Sequence, residues 1–262
     1  MGIVRYVSYF LFRQPKTIAR KAQHPKHKQA NDSIMTIRVA AIGVVAAIVA
    51  AIMMGPNAFL GGGDVGIDGN SNLTVDGVVM PSKIMTSGTQ QNWIGGGMRM
   101  KWGFKVYVVG IYSEPKVMAS LKKKYSGFDA KDDSNLSDLT TEFASSKAAR
   151  TVLLRFQRGV AASDISDALG EALKPKMGKA SDEFQQFILD MVGSGRLEKG
   201  SDMYITCKGE KLSASLTGGK DSSSISLKGL CRAIFEVYLG DKPVSPQAKT
   251  GFAEGVATLM AS

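Results

Sequence analysis

The stretch WIGGGMRMKWGFKVYVVGIY, residues 93–112, constrains the fold more than any other part of this chain. Apolar and aromatic arms flank Trp102-Gly103, a dipeptide with turn chemistry, so the stretch reads as a β-hairpin. If the chain pivots near Gly103, Arg99 and Tyr107 lie equally far either side of the apex. They then face each other across the strands, with Cβ atoms roughly 4.5–5.5 Å apart. A guanidinium and a phenol on one sheet face, among apolar neighbours, form a candidate grip for the acidic group of a mostly hydrophobic ligand. The competing reading gives Arg99 an acid or a backbone carbonyl at the sheet rim and packs Tyr107 in the core.

Charge is unevenly placed. Eight Lys or Arg against one acid, Asp32, give residues 1–38 a net +7, which leaves only +3 of the total +10 to the rest of the 262 residues. The basic excess therefore argues for targeting or a membrane surface, and no aromatic-rich basic groove supports nucleic-acid binding. Residues 39–54 are 16 in a row without a polar side chain, bracketed by Arg38 and Gly55-Pro56. With Arg38 snorkelling and flanking apolar residues at the interfaces, the run approaches the roughly 20 residues of a spanning helix. A transmembrane segment over 37–54 is expected. A buried core helix lacks nearby apolar partners, and a cleaved secretory signal would have far too long an n-region.

The first 31 residues carry no acid and mix Arg and Lys with aromatic and aliphatic residues. Residues 1–36 thus resemble an organellar transit segment, the alternative being a cytosolic basic tail under the positive-inside rule. The pairing of leader and anchor fits the mitochondrial inner membrane with the folded domain in the intermembrane space, with plastid or endomembrane as alternatives. Gly2 is present, but Tyr6 stands where a myristoylation signal needs Ser or Thr. Residues 55–72 are Gly-rich and read as a linker.

The domain then spans 73–262. Strands are expected over 74–80, across the hairpin, and over 150–158, 202–208, 211–217 and 222–226. Helices are expected over 115–125, from Ser163 and Asp164 to Leu173 with Pro175 closing the element, from Ser181 to Gly193, over 227–239 and over 246–260. Residues 129–146 look polar and irregular, with room for a short helix. Lys122, Lys123 and Lys124 read as a solvated helix face. Clustered antiparallel strands with intervening helices point to an α+β fold, a sheet with helices on one face. Cys207 and Cys231 lack metal-ligand spacing and read as two buried free thiols, with a bridge between them as the alternative. The only histidines, His24 and His27, lie in the leader, so the domain has no imidazole for a triad or a metal site.

Four motifs in order resemble the chalcone isomerase-like superfamily: VDGVVMP (75–81), GGGMR (95–99), FKVYVVGIY (104–112) and IFEVYLGDKPVSP (234–246). The resemblance covers about residues 73–262. It implies an open-faced β-sandwich, a large antiparallel sheet with helices packed on one face and a ligand cleft between the layers. The superfamily includes true isomerases, which close a flavanone ring, and fatty-acid-binding relatives. Of the isomerases' catalytic residues only the arginine is matched, at Arg99. Tyr107 replaces a threonine, Val160 and Asp167 replace a tyrosine and an asparagine, and Val237 replaces a second threonine.

No catalytic residue is therefore assigned. The fatty-acid-binding branch is expected to clamp its ligand's carboxylate with an arginine and a tyrosine on adjacent strands, which here are Arg99 and Tyr107. The resemblance implies a membrane-tethered binder of a fatty acid or another apolar acid, without cofactor or metal. An isomerase-type enzyme, a haem binder using Tyr, Cys or Met as axial ligand, and a purely structural relative are the alternatives.

Overall fold

The computed structural model describes residues 65–67, 72–216 and 222–262. Elements are numbered in chain order, with β8 (Val160–Ala161) and β9 (Arg196–Leu197) pairing with each other outside the main sheet. Seven antiparallel strands form the main sheet, in the spatial order β12 (Ser223–Ile225), β11 (Lys211–Leu216), β10 (Asp202–Lys208), β7 (Arg150–Phe156), β6 (Phe104–Ser113), β5 (Thr89–Lys101) and β4 (Lys83–Thr86). Side chains alternate between faces along each strand. In β6, Tyr107, Val109 and Ile111 join the main core, while Val108 and Tyr112 join a second core on the opposite face. In β7 the same split separates Val152, Leu154 and Phe156 from Leu153. Each such buried aliphatic or aromatic side chain contributes about 1.5–3 kcal/mol. Both faces of the central strands are therefore held against a partner layer, which fixes their register.

Helices cover the main-core face. They are α1 (Pro115–Lys124), α2 (Asp133–Ser145), α3 (Ala162–Met177), α4 (Ala180–Val192), α5 (Leu230–Leu239) and α6 (Pro246–Ala261). Eight of the ten residues of α5 are buried, so it is the central helix, apolar nearly all round. Helix α6 lies directly on β5. A Cβ built at Gly95 would collide with the Gly251 carbonyl, and one at Gly255 with the Ile94 carbonyl. The GGG run of β5 is thus the seat for this backbone-to-backbone approach.

The opposite face is partly capped by a small antiparallel sheet of β1 (Val65–Ile67), β2 (Asn72–Val75) and β3 (Val78–Pro81). Val75 and Met80 pack there on Ile84, Met98, Val108, Tyr112 and Leu153. The Tyr112 hydroxyl donates to the Pro81 carbonyl at 2.8 Å. Arg155 makes a two-pronged contact with Asp202, 2.7 Å at each prong, and also donates to the Val79 carbonyl. The result is the α+β open-faced architecture expected from the sequence. Strand β1 lies inside the stretch assigned to the Gly-rich linker and pairs with β2, Val65 opposite Val75.

Several local expectations need correction. Cys207 and Cys231 are bonded, with Cα atoms 5.6 Å apart. Cys207 points inward from β10 toward the first turn of α5, a proximity that two isolated cysteines 24 residues apart do not reveal. Residues 133–145 form a full helix, α2, whose Leu136, Leu139 and Phe143 supply one apolar stripe among polar neighbours. Pro175 does not end its helix. It sits in the last turn of α3, which continues to Met177. Ser163 and Asp164 are inside that helix, and Ser181 donates to the Gly178 carbonyl instead of capping α4.

The buried end of the sheet is closed by Arg150, 1% exposed. Its guanidinium donates to the Phe143 and Ala144 carbonyls at 2.7 Å each and stacks 4.6 Å from the Phe235 ring. Burial pulls its pKa down to about 10, so it remains a cation at neutral pH. The leader (1–36) and the expected span (37–54) lie outside the described residues. Among the described residues, no helix is long and apolar enough to cross a membrane.

Candidate ligand site

The β5–β6 hairpin does pair Arg99 with Tyr107, though by a different route from a simple pivot. Its turn is the two-residue Trp102-Gly103, with φ of 51° and 80°. A regular hairpin on that turn would set Arg99 opposite Val106. A bulge between the Arg99 and Met100 pairs moves the register by one residue and brings Tyr107 opposite Arg99. Gly95, Gly97 and Arg99 share the helix-facing side of β5, so the guanidinium emerges just past the glycine seat of α6.

The C-terminal motif completes this corner. The Ser245 hydroxyl donates to the Met98 carbonyl at 3.0 Å and accepts from the Ala248 N–H at 3.3 Å, capping α6 and tying it to β5. The Val244 N–H donates to the Val237 carbonyl at 2.9 Å. Arg99 in turn donates through Nη1 to the Val244 carbonyl. Part of the rim reading is thus correct, since Arg99 is anchored by a backbone carbonyl. That bond uses one of five guanidinium donors. Among the described residues no carboxylate pairs with Arg99.

Arg99 and Tyr107 line a cleft of about 570 Å³ between the hairpin and α3, within the usual range for small-molecule sites. Val106, Val160, Ile165, Leu169, Ala172, Val237 and Val244 make its wall mostly apolar. Exposed Asp164 and Asp167 lie along its helical rim. Val160, Asp167 and Val237, the positions that the family resemblance sets against the isomerases' other catalytic residues, all line this one cleft. The structure therefore brings the sequence-derived positions together while supplying no hydroxyl at Val160 or Val237. Asp167 accepts from Gln185 Nε2 at 2.6 Å, so it is held at the rim.

Tyr107 is 6% exposed and Tyr238, on α5 behind it, is fully buried. Burial raises the Tyr107 pKa above 10, an effect that the nearby Tyr238 hydroxyl and the Arg99 guanidinium offset only in part. Burial, with Tyr107 beside it, drives Tyr238 well above 10. Both phenols hold their protons at neutral pH and are available as donors. The Tyr238 hydroxyl meets no partner in good hydrogen-bond geometry among the described residues, and the Tyr107 hydroxyl is its polar neighbour. Sequence reasoning missed Tyr238. The signal was adjacency, because it follows Val237 and the next helical position turns inward instead of toward the cleft. The site thus offers one cation and one protonated phenol at one end of an apolar cleft, with the second phenol, Tyr238, buried behind Tyr107. That set suits an anion carrying a long apolar body.

A sequence model of the chalcone isomerase-like family matches residues 72–252. The chain belongs to the chalcone isomerase-like family. A stretch of 154 residues is 28% identical to "Fatty-acid-binding protein 2" of Arabidopsis thaliana, covering 55% of this chain and 38% of that protein. The chain thus spans well under half the length of this relative. The crystal structure of an Arabidopsis thaliana fatty-acid-binding protein superposes with a TM-score of 0.57 at 22% identity, covering 76% of this chain and all of that one. That likeness establishes the shared fold.

Proposed function

We propose that the domain binds a fatty acid or a similarly apolar carboxylic acid in the cleft between sheet and helices, without catalysing a reaction on it. The observation that carries this reading is Arg99, which lines an apolar cleft beside protonated Tyr107 and has no carboxylate partner among the described residues. The name and fold of the plant relatives support it. Arg99 and Tyr107 would hold the carboxylate, and the apolar wall would hold the chain. Each buried methylene adds about 0.8 kcal/mol and a charge-assisted contact about 1.5–3 kcal/mol, so the tail dominates affinity and the pair sets orientation. Ring closure would need hydroxyl donors that Val160 and Val237 cannot supply.

The proposal extends to location. Residues 37–54 would anchor the chain in the mitochondrial inner membrane, with the domain in the intermembrane space. The apolar run, the acid-free leader and the Cys207–Cys231 bond, which suits an oxidising compartment, support this. Two experiments test the proposal. Titration with a long-chain fatty acid should show binding that Arg99→Ala weakens about 10-fold or more. Unchanged affinity in that variant, or cyclisation of a chalcone by the wild type, would overturn the functional reading. Import of a fluorescent fusion of residues 1–60 into another compartment would overturn the location.

A further inference from the structure

The mouth of the cleft is built from residues that the ligand grip does not explain. Trp102 is 86% exposed, Phe104 60% and Met100 39%, all at the tip of the β5–β6 hairpin. Isolated exposed apolar residues need no explanation, but these three form one patch on one turn. Trp102 is moreover held at φ 51°, a left-handed conformation that a bulky residue adopts only under constraint. The turn thus thrusts an indole into solvent at a conformational cost that a glycine or asparagine would avoid.

Cations interleave with this patch. Lys101 Nζ lies 4.7 Å from the Trp102 ring centre, and the Arg158 guanidinium carbon lies 5.2 Å from that of Phe104. Lys105 is exposed on the next strand. None of Lys101, Lys105 and Arg158 has an ion-pair partner among the described residues, and residues 98–108 contain no acid. The acids of the cleft, Asp164, Asp167 and Glu171, all sit on the α3 side. The hairpin side is therefore aromatic and cationic, and the helical side is anionic. Lys101, Trp102, Phe104 and Arg158 themselves line the cleft, so this patch is its rim.

We infer that the hairpin tip docks on an anionic phospholipid surface, with Trp102 and Phe104 in the headgroup layer and Lys101, Lys105 and Arg158 against lipid phosphates. Exposed indole and phenyl rings with flanking Lys and Arg match the chemistry of a membrane interface, whose negative potential attracts such cations. Docked in this way, the cleft opens onto the bilayer, where an apolar acid partitions, and the ligand's chain need not cross water. This inference deepens the proposed fatty-acid binding and rests on it for its purpose, but the docking itself is tested without any fatty acid. Failure of one therefore leaves the other standing.

The chain has two tryptophans, so Trp93→Phe leaves Trp102 as the sole emitter. The full-length variant is mixed with phosphatidylcholine–phosphatidylglycerol vesicles, with and without acyl-brominated lipid. The expected result is a blue shift of Trp102 emission and its quenching by bromine. Because the leader and residues 37–54 would hold the full chain on vesicles, docking is read at Trp102 itself: Lys101→Gln and Lys105→Gln should each lower its docked-to-undocked ratio on the anionic vesicles about fivefold and leave pure phosphatidylcholine unaffected. Because Trp93 packs edge-on against Tyr112 at 5.4 Å, its replacement could disturb the fold. The difference between wild type and Trp102→Phe reads the same signal without touching it. The inference is overturned if Trp102 keeps its solvent-exposed emission and escapes bromine, whether or not the chain sediments with vesicles. A blue shift that grows with protein concentration in the absence of lipid would also overturn it, making the tip a contact between copies of the chain.

Discussion

Replacing Tyr238 with phenylalanine should move stability and affinity in opposite directions. The Tyr238 hydroxyl is buried, and its polar neighbour, the Tyr107 hydroxyl, meets it outside good hydrogen-bond geometry; a fully unsatisfied buried hydroxyl costs about 1–3 kcal/mol, a poorly satisfied one less. Tyr238→Phe removes the oxygen and keeps the ring, so the ligand-free protein should gain up to about 1 kcal/mol. In the proposed complex Tyr107 would donate a hydrogen bond to the carboxylate, and its oxygen would become a stronger acceptor for the Tyr238 hydroxyl behind it. Losing that second bond should weaken fatty-acid binding by about 0.5–1.5 kcal/mol, or roughly two- to tenfold. Urea denaturation followed by circular dichroism reads the first effect as a higher midpoint at unchanged slope. Displacement of a fluorescent fatty acid reads the second. A lower urea midpoint for Tyr238→Phe would mean that the hydroxyl is already satisfied in the free protein. Unchanged affinity would remove Tyr238 from the site.

Other consequences are checked by similar means. Gly251→Ala should destabilise the domain by about 1–3 kcal/mol in urea, because the new methyl meets the Gly96 carbonyl where α6 rests on β5. Replacing Cys207 and Cys231 together by serine should cost about 2–4 kcal/mol and lower the thermal midpoint, an effect that a reducing agent reproduces in the wild type. Burial acts to raise the Glu114 pKa, but the Lys116 side chain and the Ala149 N–H outweigh it and hold it below 4.5. The unfolded chain therefore binds more protons in that window, and stability falls as pH drops below about 4.5. Glu114→Gln should flatten this acid limb of the urea-midpoint profile.

The large features were legible because they are periodic. The largely apolar runs 104–112 and 150–156 read as strands, which the structure buries on both faces, and the apolar phase of 230–239 marked the central helix. The turn at Trp102-Gly103 alone would pair Arg99 with Val106, and the bulge that brings Tyr107 opposite Arg99 leaves no local mark. What the sequence concealed depends on distant contacts. Phe143 gains its core place by meeting Phe235 and Phe252, and Cys207 its partner by meeting α5, neither of which a local window contains. Tyr238 was hidden for the same reason. Its importance comes from lying behind Tyr107, a relation set by the packing of α5 on β6. Pro175 shows the opposite failure: a strong local stop signal yields where the helix is already in its last turn.

The central claim is that Arg99 recognises a carboxylate at the end of an apolar chain. Comparing a long-chain fatty acid with the alcohol of the same length tests this directly, because the tail contacts cancel. Isothermal titration of the wild type should give about 10–150-fold tighter binding of the acid, the value of one charge-assisted contact. In Arg99→Ala that preference should collapse to near unity while the alcohol's affinity stays the same. Equal binding of acid and alcohol by the wild type, or a preference that survives in Arg99→Ala, would contradict the account.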